Sequence, residues 1–542
     1  MRVYEVSAGP PSRSRLYILS MEAVATYTMK FIRKYVKRQG EESIRILRSY
    51  LGSELPASIL RDVLNHCILK DMYQCNHNPT ECSGLELWRT FYHPKFTDVS
   101  VVHHEFAFPK TTNYPDIIRN LDQLISLVLQ SDPLPKISSF KLELEQCESR
   151  FSIQDQVLRA LKVLADGVRV LEIPGLCTNE LLNVIALNCT NLEVLNIKGS
   201  REQVNDRGFV DFLCSKSKKK NKSGVQETLK RLDISRCTLS HQVLFYLANL
   251  ASLSDLIIST TLLDEIHYSC EGHAVLQSDS GETLGLEKVG LSSVTQISVE
   301  HETILQVSIN KVMAYLRNMF PNAKNIQLKN CIACELHVTL IQHPTQIAFM
   351  RENIQSLELI SADYFEFPRL VYPCPNLETL SIEKPTNDIF NTDLQNVPLL
   401  YGNPIPFVNL KNLSLSRISL TNLTHFLSKS NNLRKFKVFN IGRRERPRWT
   451  DDRVKEILSP TSVPHLEEFH VSCLPNEGFS TSEMNRYLHL TKETVNYLTH
   501  NFKNLKRITG IECWNPRESN IQTISSVLNS EFASGKFSIT SL

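Results

Sequence analysis

The chain has 542 residues, 42% hydrophobic, 22% charged and 8% aromatic, with 60 Lys plus Arg against 57 Asp plus Glu and a formal net charge of +3. This composition excludes a wholly disordered chain, and near-neutrality gives no global argument for nucleic acid or a membrane surface as partner. No stretch approaches the roughly 18 uninterrupted apolar residues of a membrane helix. The opening residues, with Pro10, Pro11 and Arg13, lack the apolar core of a secretory signal. The 14 cysteines therefore read as reduced, partly buried thiols, in a chain expected in the cytoplasm, the nucleus or both.

Residues 1–19 read as a tail and 20–110 as a small α-helical domain. Met21, Val24, Ala25, Thr28, Phe31, Ile32 and Tyr35 recur at offsets of three and four, which predicts a helix over 20–37 with Ser20 as N-cap. A second helix is expected over about 43–51, broken by Gly52 and Ser53. A third opens at Pro56, whose missing N–H costs nothing in a first turn, and its apolar face is Leu55, Ile59, Leu60, Val63, Leu64 and Cys67. Cys67, Cys75, His77 and Cys82 are soft ligands, but their spacing fits no standard zinc framework, so no metal or cofactor is expected.

From 111 to 542 the chain repeats itself. The pattern L-x-x-L-x-L, with other apolar residues substituting, begins at Val168, Leu192, Leu229, Leu253, Val294, Ala323, Ile354, Leu377, Leu410, Leu433 and Leu466, with weaker starts at Leu124 and Ile137 and a closing one at Leu505. Its last two apolar positions lie two apart, so both point to one side of a short strand while the intervening residue projects outward. Cys237 and Cys331 then fall at a buried turn, and helical spacing follows, as in Leu181, Leu182, Val184, Ile185 and Leu187. The predicted fold is α/β: a leucine-rich-repeat solenoid of strand–turn–helix coils, horseshoe-like, behind the helical domain. Over-long repeat intervals imply insertions near 215–224, 267–285 and 442–449. The outward strand positions Glu172, Asn196, Asp233, Gln327, Glu358, Ser381 and Ser414 are the expected substrate-facing set, of mixed charge.

Leu55, Pro56, Ile59 and Val63 follow the spacing of the cullin-2 box, and Ser20-Met21-Glu-Ala-Val-Ala25 with Met29 aligns with the elongin-binding box upstream of it, Ala25 standing where that box has Cys. In this order, ahead of irregular leucine-rich repeats over about 120–515, the chain resembles the Zyg/Zer-type substrate receptors of cullin-2 RING ubiquitin ligases. The resemblance implies an adaptor that docks elongin B/C and cullin-2 through Met21, Ala25, Met29, Leu55, Pro56, Ile59 and Val63, and holds a protein substrate on the concave strand face. Leu55-Pro56 with Trp88-Arg89 also resembles an F-box, which would imply Skp and cullin-1 instead. The plainer reading is a stand-alone repeat scaffold whose helices only cap the first coil. No nucleotide-binding, nucleophile-elbow or zinc-protease motif occurs, so no enzyme is expected. The lysines at 216, 218, 219, 220 and 222 fit a localisation patch or a solvated loop, and Arg443, Arg444, Arg446 and Arg448 lack the aromatic series of a single-strand binder.

Overall fold

The computed structural model of the chain describes residues 15–31, 41–75, 91–93, 95–103, 114–130, 136–144, 150–214, 224–240, 243–247, 250–260, 267–268, 274–277, 283–285, 291–300, 319–329, 353–360, 376–383, 408–416, 430–439, 449–472 and 488–510, with the single residues 262, 316, 423, 427 and 514. It divides into two compact units, Met1–Leu256 and Ile257–Leu542.

Unit one opens with helices α1 (Arg15–Phe31), α2 (Glu41–Glu54) and α3 (Ala57–Cys75). Strands β1 (Asp98–His103), β2 (Ser139–Leu144), β3 (Val170–Glu172), β4 (Val194–Asn196) and β5 (Arg231–Asp233) then alternate with helices α4 (Tyr114–Leu129), α5 (Arg150–Leu164), α6 (Asn179–Asn188), α7 (Asp206–Cys214) and α8 (Val225–Thr228). Neighbouring strands pair in parallel in chain order. Parallel pairing requires a crossover between strands, and the helices supply it. In α6, Thr178 caps the N-terminus by accepting the Leu181 amide at 3.2 Å, and Leu181, Leu182, Ile185 and Ala186 are buried along one face.

The boundary between units falls within β6 (Asp255–Ser259). Unit two continues with β7 (Gln296–Glu300), β8 (Asn325–Lys329), β9 (Ser356–Ile360), β10 (Thr379–Glu383), β11 (Asn412–Ser416), β12 (Lys435–Phe439), β13 (Glu468–Ser472) and β14 (Arg507–Thr509), again parallel in chain order. The fourteen strands belong to one sheet, and the fold is that of a leucine-rich-repeat solenoid.

The three apolar positions of all eleven clear repeats are at most 2% exposed. Register stacks them: Ile326, Leu357, Leu380, Leu413, Phe436, Phe469 and Ile508 are successive partners across β8–β14. One carbonyl in each coil serves two amides of the next. The Arg169 carbonyl takes the Glu193 and Val194 amides at 2.8 and 2.9 Å, and the Arg434 carbonyl takes those of Glu467 and Glu468 at 2.7 and 2.9 Å. The residue before the first apolar position fastens the same seam, since Asn191 Nδ2 donates to the Asp166 carbonyl at 2.9 Å and Asn322 Nδ2 to the Ser292 carbonyl at 2.8 Å.

After the strand the chain turns through a left-handed residue: Gly175 and Gly199 (φ 73° each) and, at the equivalent place, Arg236 (φ 58°). Cys237 is 2% exposed there, and its Sγ donates to the Ile197 carbonyl at 3.3 Å, the turn position expected of it. Cys331 lies outside the described residues.

Two expectations are corrected. The sheet begins before residue 111, with β1 inside the span 20–110 expected to be helical, because Phe96-x-x-Val99-x-Val101 already has the repeat spacing. Leu124 opens no repeat: with Ile125 and Val128 it is buried on one face of α4, a helical period that happens to place leucines where a strand would. The insertion near 267–285 carries strands of its own, His267–Tyr268, Ala274–Gln277 and Thr283–Gly285, paired antiparallel. Most of the insertions near 215–224 and 442–449 lies outside the described residues.

Candidate functional site

The expected docking residues divide into two groups. Met21 (6% exposed), Ala25 (1%) and Val63 (0%) are buried, α1 packs on α3, and Leu60, Leu64 and Cys67 are buried on that face of α3. Cys67 Sγ donates to the Ala25 carbonyl at 3.8 Å, so the thiol serves the helix crossing, and the small Ala25 side chain lets the backbones approach. Leu55 and Ile59 are half-exposed and Pro56 is exposed. The side chain of Met29 lies outside the described residues, as do that of Cys75 and all of His77, Cys82, Trp88 and Arg89. Among the described residues no cluster of three His, Cys, Asp or Glu is placed to hold a metal.

Sequence reasoning overlooked α2 as a surface. Its Ile44 and Leu51 are buried, while Ile46 and Tyr50, one turn apart, are 61% and 62% exposed. Tyr27 on α1 is 78% exposed. These are three of the five large exposed apolar residues among the described ones, and all three lie in the helical domain. The signal was available in the pattern: Ile46 and Tyr50 fall off the Ile44/Leu51 stripe, so the helix has apolar residues on two faces.

Arg61 ties this domain to the sheet. Its Nη1 donates to the Asp98 carbonyl at 3.3 Å, its Nη2 meets the Asp98 carboxylate, and the guanidinium lies 5.5 Å from the centre of the Phe96 ring. Burial pulls the Arg61 guanidinium down to about 10, so it stays cationic at neutral pH. The helix carrying Leu55, Pro56 and Ile59 at its start is thereby anchored to β1.

The strand face is the second candidate surface. In unit one its central row runs Ser100, Lys141, Glu172, Asn196, Asp233, with Lys141 Nζ 2.8 Å from the Glu172 carboxylate. Asn196 and Asp233 are turned back on their own strands: Asn196 Oδ1 accepts the Lys198 amide at 3.0 Å, and Asp233 Oδ1 accepts the Ser235 amide and hydroxyl at 3.0 and 2.7 Å. Asp233 is accordingly 7% exposed and shapes the turn.

In unit two the row is Ser298, Gln327, Glu358, Ser381, Ser414, Lys437, His470, Thr509. Gln327, Glu358 and Ser414 are half-exposed, and Ser381 is buried. Ser298 Oγ donates to Gln327 Oε1 at 2.8 Å, Gln327 Nε2 donates to the Glu358 carboxylate, and Ser381 Oγ donates to Glu383 at 3.4 Å. At the other end His470 places Nδ1 2.8 Å from Thr509 Oγ1 and Nε2 2.7 Å from Ser472 Oγ, with the Phe439 ring 4.7 Å away. Burial, with Lys437 adding to it, pulls His470 down to about 4, so the ring is neutral at physiological pH.

Just before the strands runs a ladder of alternating charge. Glu193 accepts from Arg169 (Nε, 2.7 Å) and Lys230 (3.0 Å), and Glu467 accepts from Lys506 at 2.8 Å with Arg434 3.5 Å away. Those hydrogen bonds hold both carboxyls below the usual carboxylate range. Such exposed pairs add little stability but set which coils can stack.

No known family model and no curated protein matches the chain. Solved structures that are similar include yeast Rad7 in its complex with Elc1 (14% identity, 73% of this chain and 88% of that one, TM-score 0.34). The leucine-rich-repeat protein LegL7 of Legionella pneumophila is another (13%, 57% and 88%, TM-score 0.33), as is an internalin of Listeria monocytogenes (12%, 69% and 88%, TM-score 0.28). These are distant likenesses of fold. Among the described residues no helix is long and apolar enough to cross a membrane.

Proposed function

We propose that the chain is a non-enzymatic adaptor of a cullin-RING ubiquitin ligase: the helical domain docks the ligase and the strand face holds a protein substrate. The carrying observation is where exposed apolar surface gathers. Ile46, Tyr50 and Tyr27 stand in solvent on the helical domain, and Leu55, Pro56 and Ile59 remain accessible at the start of α3. Singly scattered apolar residues on a surface are ordinary, but Ile46 and Tyr50 lie one turn apart on α2 and make an adjacent pair, the kind of patch a partner covers. Elongin B/C with cullin-2 is the partner set the box resemblance implies. In this reading Met21, Ala25 and Val63 act one step back, holding α1 on α3 so that the exposed residues keep their spacing. The adaptor's contribution is proximity, raising the effective concentration of a bound substrate near the ubiquitin-charged enzyme.

The second reading, a stand-alone scaffold, is favoured by one contact: Arg61 fixes α3 to β1, as a plain solenoid cap would require. Co-purification separates the two. The full chain, Ile46→Asp with Tyr50→Asp, and Leu55→Asp with Pro56→Ala are each probed for elongin B/C, cullin-2, Skp and cullin-1. The substituted positions are exposed or half-exposed, so the folds should melt within about 0.5 kcal/mol of wild type. Elongin and cullin-2 should accompany wild type and be lost from both variants. Recovery of Skp alone transfers the chain to the F-box class, and recovery of none leaves the scaffold.

A further inference from the structure

Across the strand face of unit two most of the described polar groups of the central row close on one another, with Ser414 and Lys437 as the exceptions. On the β7–β10 side Ser298, Gln327 and Glu358 form a chain, and Ser381 turns to Glu383. On the β13–β14 side both ring nitrogens of His470 are occupied by hydroxyls. The neighbouring cations are paired too: Lys435 with Glu468 at 3.0 Å, Lys411 with Glu378 at 2.8 Å and Lys506 with Glu467 at 2.8 Å. Lys437 sits between Ser414 and His470 in the middle row, half-exposed, and among the described residues no carboxylate lies within ion-pair distance of it.

Two further features give this lysine a direction. Phe439 lies two residues on, hence on the same face of β12, half-exposed and seated against the His470 ring at 4.7 Å. The outward charge also shifts along unit two: Glu358 and Glu383 stand against Lys329 on β8–β10, whereas Lys435, Lys437 and Arg507 stand against Glu468 on β12–β14. An extended ligand crossing the strands therefore meets repulsion for acid at one end and attraction at the other.

We propose that β11–β14 carry an anion-reading subsite, centred on Lys437 Nζ with Phe439 as its apolar wall, that takes a carboxylate and an adjacent apolar side chain from an extended acidic segment of a protein partner. This deepens the adaptor reading and rests on it only for the identity of the strand face as the substrate surface. His470 serves as a positioning residue: its hydroxyl partners fix the ring against which Phe439 rests. Neutral at physiological pH, the ring leaves the lysine as the charge that selects the ligand.

The test uses the full chain and fluorescein-labelled nine-residue peptides in which Glu alternates with Leu, with Gln and Lys counterparts, read by anisotropy. The Glu peptide should bind at least about tenfold tighter than the Gln peptide, the difference one charge-assisted contact supplies. Lys437→Glu should erase the preference and Lys437→Arg should keep it. Lys136→Glu, which changes net charge equally from an exposed position in unit one, should leave it unchanged. Phe439→Ala should weaken the Glu and Gln peptides alike. Equal binding of the Glu and Gln peptides, indifference to Lys437→Glu, or displacement of the Glu peptide by inorganic phosphate or a single-stranded oligonucleotide at lower concentration than by unlabelled peptide would each overturn the proposal. Co-purification of Lys437→Glu with elongin B/C and cullin-2 is scored in parallel. Docking without peptide selectivity in wild type defeats this subsite alone, whereas peptide selectivity without docking defeats the adaptor reading alone.

Discussion

Removing Trp514 should unravel the last coils of unit two and leave unit one intact. Its side chain is fully buried, packs edge-on to Phe469 (centroids 6.1 Å apart, planes at 71°) and donates Nε1–H to the Val471 carbonyl at 2.9 Å. A buried tryptophan removes roughly 150–250 Å² from water, worth about 4–6 kcal/mol at ~25 cal/mol per Å², and core Trp→Ala changes typically cost ~3–5 kcal/mol. The loss also orphans the Val471 carbonyl at the end of β13. Because each coil contacts only its neighbours, the cost should be local. Hydrogen exchange read by mass spectrometry should show protection of residues 466–472 and 505–509 falling by roughly a hundredfold to a few thousandfold, the equivalent of 3–5 kcal/mol, with residues 168–197 unchanged. Trp514→Phe, which keeps most of the area and loses the hydrogen bond, should cost about 1–2 kcal/mol. Equal loss of protection in both segments, or a change below about 1 kcal/mol for Trp514→Ala, would refute the view that Trp514 closes the array locally.

Three further outcomes are expected. Arg236→Gly should stabilise its coil by about 0.5–1 kcal/mol, because the left-handed φ that Gly175 and Gly199 adopt freely is strained for arginine; a slower local exchange rate at residues 229–237 checks it. Gly510→Ala should destabilise β14, since φ is 82° there and an added Cβ would be driven into the Val471 carbonyl; loss of protection at 505–509 is the readout. For His470 the folded value of about 4 lies below the ordinary 6.5, so the unfolded chain binds the proton more tightly. The stability it supports is complete above about pH 6.5 and is lost as pH falls toward 4, by roughly 3 kcal/mol. His470→Gln should flatten that slope in urea titrations between pH 4 and 7, and an unchanged slope would assign the acid sensitivity elsewhere.

A chain taken by itself leaves some apolar spacings open to more than one structure. Leu124 reads as a strand start because a leucine every three or four residues satisfies a helix and a repeat alike until the neighbours are known. Phe96, Val99 and Val101 hide the first repeat because phenylalanine and valine stand in for the leucines that advertise the pattern. Met21, Ala25 and Val63 suit a partner as well as a neighbouring helix, because an apolar helical face says that something covers it, without saying what. Here α1 and α3 cover one another. Ile46 and Tyr50, which the stripe of α2 left over, remained in solvent.

The amino-acid sequence alone determined the architecture, since an apolar residue at fixed spacing must be buried by the next coil, and enough such spacings leave a stacked parallel sheet as the way to bury them together. Only the tertiary structure decided which polar groups are already spoken for. Asp233 closes a turn, Glu358 receives Gln327, His470 is held by Ser472 and Thr509, and Lys437 is left facing outward. The Gln327–Glu358 and His470–Thr509 pairings join residues 31 and 39 positions apart, brought side by side by strand register, and no local pattern encodes them.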